Sequence, residues 1–118
     1  MPFLDLESNI PTTRFTDDFV KKLCSSAAEI LSKPEERINA VVKGGLPMQI
    51  GGSMEPCVIL TVSAVSVLGT AEQNKEHSAR LFQFLMKELQ LSEDRIVLRF
   101  CPLETWQVGK KGTVMTFL

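Results

Sequence analysis

The residue with the most distinctive chemistry in this chain is its second. Met1 is followed by Pro2, the kind of small-residue context from which an initiator methionine is usually trimmed. Pro2 would then carry the chain's only secondary amine. Such a group acts as a base near neutral pH if burial and nearby cations hold its pKa below the value of about 8 typical of α-amino groups. The same residue would also suit the start of an edge strand, where a missing N–H costs nothing. Position alone leaves both readings open.

Little else in the sequence competes for chemistry. Cys24, Cys57 and Cys101 are odd in number and widely scattered, so a disulfide framework is not expected and a reducing compartment is the default. All three read as small core hydrophobes. One histidine, His77, and no cysteine pair at ligand spacing would leave a structural zinc site short of donors, so neither a metal nor another cofactor is expected. His77, between Glu76 and Ser78 early in a helical stretch, reads as a solvated position.

The bulk numbers bound the partners. A chain of 118 residues is read as one domain, able to bury roughly two-thirds of the surface it exposes when unfolded. Thirteen basic against fourteen acidic residues give no electrostatic footprint for nucleic acid. No apolar run approaches the ~20 residues of a membrane-spanning helix, so no membrane insertion is expected. MPFLDLESNIP has neither a basic n-region nor a long apolar h-region, so a cytoplasmic location is the expectation.

The elements that must position Pro2 emerge from a repeat. Shifting the sequence by 58 residues pairs Leu31 with Leu89, Glu35 with Glu93, Arg37 with Arg95 and Ile38 with Ile96. An internal duplication, with halves of about 1–58 and 59–118, explains this better than a solenoid. Each half reads strand, helix, strand. Phe3 to Glu7 alternates as a strand, and Thr16 is an N-cap for a helix from Asp17 to about Ser32, with Phe19, Leu23 and Ala27 at helical spacing. Pro34 closes the helix, and Ile38 to Val42 forms the next strand. In the second half, Cys57 to Leu68 reads as a strand buried on both sides, Thr70 and Gln73 have capping-box spacing, and Ile96 to Phe100 is a fourth strand.

The fold class expected is therefore α/β (α+β), with two β-α-β units forming a four-stranded mixed sheet and both helices on one face. The bare face, carrying Ile59, Val65 and Val67, would expose more apolar surface than a monomer usually tolerates, so oligomerisation is expected to cover it. Thr113 to Leu118 reads as a strand without a partner in its own repeat, suited to a neighbouring subunit's sheet edge.

Several motifs resemble one known family: Pro2 opening an FLDLE strand, SKPEERI at the close of the first helix, GGSMEPC before the long strand, GTAEQNKEHS at the second helix, and SEDRI before the fourth strand. The sequence is similar over its whole length to the macrophage migration inhibitory factor and D-dopachrome tautomerase family, and its ending, PLETWQVGKKGTVMTFL, resembles the D-dopachrome tautomerase branch. The resemblance implies a homotrimer with pockets between subunits, each built around an N-terminal proline whose amine moves a proton in keto-enol tautomerisation. In the branch, D-dopachrome is converted with decarboxylation to 5,6-dihydroxyindole.

On that resemblance Pro2 is the catalytic residue, and Lys33, Arg37, Ala64, Val65, Arg99 and Val108 bind the small-molecule substrate. Lys33 matches the family lysine that holds a substrate carboxylate. Its repeat equivalent is Leu91, so the fold itself does not demand a cation there. Arg37 has Arg95 as its equivalent, so a shared structural role is at least as natural. Arg99 would face the pocket or cap a sheet edge. Ala64, Ser66 and Cys101 depart from the usual serine, glycine and phenylalanine, and the second cysteine of the family's CxxC is absent, since Cys57 is followed by Val58, Ile59 and Leu60. Besides enzyme action, the resemblance implies a cytokine-like ligand of the class II invariant chain, exported by a non-classical route, with the pocket vestigial.

Overall fold

The computed structural model describes residues 1–118. Its main elements are β1 (Phe3–Ser8), α1 (Asp17–Leu31), β2 (Asn39–Lys43), β3 (Val58–Val65), α2 (Ala71–Leu89) and β4 (Ile96–Leu103). A small hairpin follows, β5 (Gly109–Lys110) with β6 (Thr113–Val114). No helix is long and apolar enough to cross a membrane.

The helices begin where the sequence caps them. Thr16 Oγ1 accepts the Phe19 N–H at 3.2 Å, and Thr70 Oγ1 accepts the Gln73 N–H at 3.1 Å. Each satisfies a first-turn donor that has no carbonyl partner within the helix. The Gln73 side chain reaches back to accept the Gly69 N–H at 3.1 Å, one residue before the cap. Both helices end the same way. Ser32 and Gln90 both take the left-handed conformation at φ 54, and the next residues return N–H bonds to Ala28 O at 2.9 Å and Met86 O at 3.3 Å. Ser32 and Gln90 are one repeat apart, as are the 3₁₀ turns Glu35–Arg37 and Glu93–Arg95 that follow.

The sheet order is β2-β1-β3-β4. β1 pairs with β2 in parallel, β3 with β4 in parallel, and β1 with β3 antiparallel. Two β-α-β units are thus joined back to back through their first strands, as the duplication requires. One core serves both halves: Leu4, Leu6, Leu60 and Val62 of the sheet pack with Leu23, Ala27 and Leu31 of α1 and with Leu81, Leu85 and Leu89 of α2. The helices cover a single sheet face because only one side of each strand is apolar throughout.

Several expectations need correcting. β3 is not buried on both sides: Val58, Leu60, Val62 and Ala64 are enclosed, whereas Ile59, Thr61, Ser63 and Val65 are only half-covered. The strand stops at Val65 because Ser66 turns left-handed at φ 70, and Val67 packs against the core instead of on the bare face. That bare face is mixed. Its rows run Asn39–Phe3–Ser63–Cys101, Val41–Asp5–Thr61–Arg99 and Lys43–Glu7–Ile59–Val97. The exposed Cys101 is therefore no core residue, and Cys24 is half-buried, leaving Cys57 as the one fully enclosed thiol. The tail is not an unpartnered strand: Thr113–Val114 pairs with the chain's own Gly109–Lys110, and Met115–Phe117 closes as a 3₁₀ turn. His77 is half-buried, with Nε2 2.8 Å from Val67 O.

Ser8 ties the end of β1 to the start of β3. Its fully buried hydroxyl donates to Cys57 O at 2.8 Å and accepts the Ile10 N–H at 3.0 Å. Ser8→Ala strands the buried Ile10 N–H without a partner, so the chain should lose about 1–3 kcal/mol of stability. Urea denaturation with an unchanged slope and a lower midpoint is the expected result; an unchanged midpoint would show that the hydroxyl is dispensable.

Candidate functional site

Pro2 immediately precedes β1, which lies in the middle of the sheet. Its side chain is less than 2% exposed. On one side Pro2 O accepts the Asn39 N–H at 3.0 Å and the Asn39 amide at 3.3 Å. On the other, the register of Phe3 against Ser63, continued by one residue, sets Pro2 opposite Ala64 and Met1 opposite Val65. The edge-strand reading of Pro2 thus does not hold. Proline is tolerated beside this central strand because it stands just ahead of Phe3, where its missing N–H interrupts no ladder.

Met1 projects from this point into a cleft of about 390 Å³, lined by Met1, Arg37, Lys110, Lys111, Met115 and Leu118. The amine of Met1 reports the electrostatics that an amine on Pro2 would meet one residue deeper. Burial lowers its pKa from 8.0, and the positive charges of Lys33, Arg37 and Lys110 lower it further. The Met1 amine donates to Met115 Sδ at 3.9 Å. None of Lys33, Arg37, Lys110 and Lys111 is in an ion pair.

The residues singled out from the sequence fall into three groups. Lys33 and Arg37 come together with the N-terminus, Lys33 half-buried just past the left-handed Ser32 and Arg37 exposed at the end of its 3₁₀ turn. Ala64 and Val65 flank Pro2 through the sheet, Ala64 fully enclosed and without room to offer more than its backbone. Val108 and Arg99 stand apart from the cleft wall. Val108 is 5% exposed and accepts the Met115 N–H at 2.9 Å through its carbonyl, so it anchors the terminal 3₁₀ turn. Arg99 lies on the bare sheet face, bonded to Thr61 Oγ1 at 3.2 Å and 3.9 Å from Glu7.

The repeat pair Arg37 and Arg95 does not share a structural role. Arg95 donates to four carbonyls of one connection: Ile50 at 2.9 Å, Ser53 at 3.1 Å, Glu55 at 2.8 Å and Pro56 at 3.2 Å. It shapes the loop between the halves. Arg37 makes no such bond and turns its guanidinium to the cleft, although the two stand at equivalent places. A second cavity, of about 600 Å³, lies at the repeat-related end beside Leu91, Ser92 and Arg95.

Lys110, Lys111 and Met115 were not read from the sequence as site residues. The available signal was the doublet Lys110-Lys111 ahead of Gly112, a hairpin loop with residues of positive φ at both central positions (55 and 80). Without the fold nothing connects that loop to residue 2.

Comparison with known proteins agrees with this geometry. The family pattern described as macrophage migration inhibitory factor (MIF) matches residues 1–116. The chain is 58% identical to D-dopachrome decarboxylase of Xenopus tropicalis and 57% to that of Bos taurus, each over 118 residues and the full length of both chains. The solved macrophage migration inhibitory factor of Trichinella spiralis superposes with a TM-score of 0.86 at 28% identity, covering 95% of this chain and 98% of that one.

The two arginines make a matched test. Arg95→Ala removes a cation serving four carbonyls and should cost about 2–3 kcal/mol, with a clear fall in Tm. Arg37→Ala leaves no buried group unpaired and should change stability by less than ~0.5 kcal/mol. Equal losses would mean that the two guanidinium groups are structural alike.

Proposed function

The chain belongs to the macrophage migration inhibitory factor family, and from that premise we infer that it is a tautomerase and D-dopachrome decarboxylase, an isomerase and lyase whose base is the amine of Pro2. The observation that carries the reading is the setting of Pro2: a buried proline at the head of a central strand, one residue behind Met1, which lines a cleft and whose own amine is driven toward the uncharged form by burial and by the charges of Lys33, Arg37 and Lys110. The full-length relatives named D-dopachrome decarboxylase support the reaction.

Removal of Met1 frees the ring nitrogen. Neutral, it takes a proton from the carbon next to a carbonyl, leaving an enolate whose charge the neighbouring cations offset. The same nitrogen, now protonated, returns the proton, so a keto-enol exchange conserves all atoms and electrons. With D-dopachrome, the carboxylate leaves as carbon dioxide, its bonding electrons pass into the quinone ring, and protons redistribute from ring carbon to oxygen to give 5,6-dihydroxyindole. Lys33 and Arg37 draw in the substrate carboxylate, and Ala64 and Val65 form the floor beside Pro2. Val108 acts through the terminal turn that it anchors. The active form in this reading is a homotrimer with the bare faces turned inward, which would cover the exposed Val41 and Val97 and let Arg99 face a neighbouring subunit's cleft.

Two tests follow. Pro2→Gly, or retention of Met1, should reduce dopachrome turnover at least a hundredfold with the fold intact by circular dichroism; turnover at the parent rate would remove Pro2 from the mechanism. The pH profile of kcat/KM should rise through a pKa below the value of about 8 of an ordinary α-amine, because the working base is the deprotonated amine and the charges of Lys33, Arg37 and Lys110, which lower the Met1 amine, would act on Pro2 as well. Lys33→Gln removes one repelling charge, so that limb should move to higher pH. A limb that stays in place would exclude Lys33 from tuning the base.

A further inference from the structure

The cleft holds more positive charge than one carboxylate needs. Arg37, Lys110 and Lys111 line it and Lys33 acts on the amine at its head, four of the thirteen basic residues of a chain with net charge −1. No carboxylate side chain lines the cleft, and none of the four cations is in an ion pair. The one anion on the rim, the α-carboxylate of Leu118, is in no ion pair either. Like charges gathered without partners repel one another, and a bound anion relieves that repulsion.

The cations also come from two separate parts of the chain. Lys33 and Arg37 follow α1, whereas Lys110 and Lys111 belong to the C-terminal hairpin. Lys111 and Gly112 are its two loop residues, at φ 55 and 80. A loop of this geometry is best served by Asn-Gly, because asparagine tolerates the left-handed region better than lysine does. Turn formation therefore gives no reason for a lysine at 111, whereas its position on the cleft does. The proposed substrate has a single carboxylate, which Lys33 and Arg37 can hold. The hairpin pair is left over.

We propose that Lys110 and Lys111 form a second anion subsite, and that the cleft is selective for planar carbonyl substrates carrying two anionic groups, of the aryl or unsaturated keto dicarboxylate class. This rests on the reading of Pro2 as base. A cleft of about 390 Å³ has room for a substrate the size of one aromatic ring with a keto-acid arm, and it is lined by Arg37 as well as by Lys110 and Lys111. The second carboxylate orients the substrate and takes no part in the proton transfer, which conserves atoms as before.

The test compares three substrates with the full-length, Met1-free protein: phenylpyruvate, its ring para-carboxylate, and the para-carboxamide, which has the same size without the charge. The para-carboxylate should have a kcat/KM about tenfold above that of the carboxamide at low ionic strength, the ratio shrinking as salt rises. Lys111→Asn suits the turn and removes the charge, and Lys111 is not among the charges that lower the amine's pKa. In that variant the carboxylate-to-carboxamide ratio should fall about fivefold, with thermal stability equal or higher. A parent ratio of one or less, or a ratio that Lys111→Asn leaves unchanged, overturns the second subsite. If all three substrates are turned over equally by Pro2→Gly protein, the failure lies with the base instead.

Discussion

Everything at this site depends on where the chain begins. Pro2 is clamped through its carbonyl to Asn39 on β2 and faces Ala64 on β3, so the first ring of the protein is held by the two strands that flank the centre of the sheet. A chain terminus is ordinarily solvated and mobile. Here Pro2 is enclosed, a setting in which a charged amine is disfavoured. The cations around it act in the same direction as burial, so desolvation and repulsion reinforce each other.

The duplication shows how equivalent places in a repeated fold come to be used differently. The two units share helix C-terminal ends, the 3₁₀ turns that follow and parallel strand pairing, and differ in how equivalent positions are used. Arg95 is committed to four carbonyls of the connecting loop, whereas Arg37 is free to meet a ligand. Leu91 stands where Lys33 carries charge. The cleft beside Met1 draws Arg37 from the first unit and Lys110, Lys111 and Met115 from the tail of the second.

The sequence revealed the parts governed by local rules. Caps at Thr16 and Thr70, the apolar stripes of both helices and the repeat at 58 residues gave the architecture, because capping and periodicity are set by neighbours in the chain. What it hid was long-range. The mixed character of the bare face depends on which residues meet across strands: Ile59 looked apolar in isolation but shares its row with Lys43 and Glu7. The tail was misread as an open strand because its partner, Gly109–Lys110, is two residues long and has no strand pattern of its own. Arg37 and Arg95 looked equivalent, since sequence similarity fixes backbone position and not what each guanidinium touches. The lysines of the hairpin joined the site only through a fold that brings residue 110 to residue 1.

The measurement that bears most directly on this account is a ¹⁵N NMR titration of the Pro2 ring nitrogen in protein lacking Met1. The account predicts a single titration with a pKa below the value of about 8 of an ordinary α-amine, shifted upward when Lys33 and Arg37 are both replaced by glutamine. A ring nitrogen that titrates like an ordinary solvated amine, indifferent to those replacements, would contradict it.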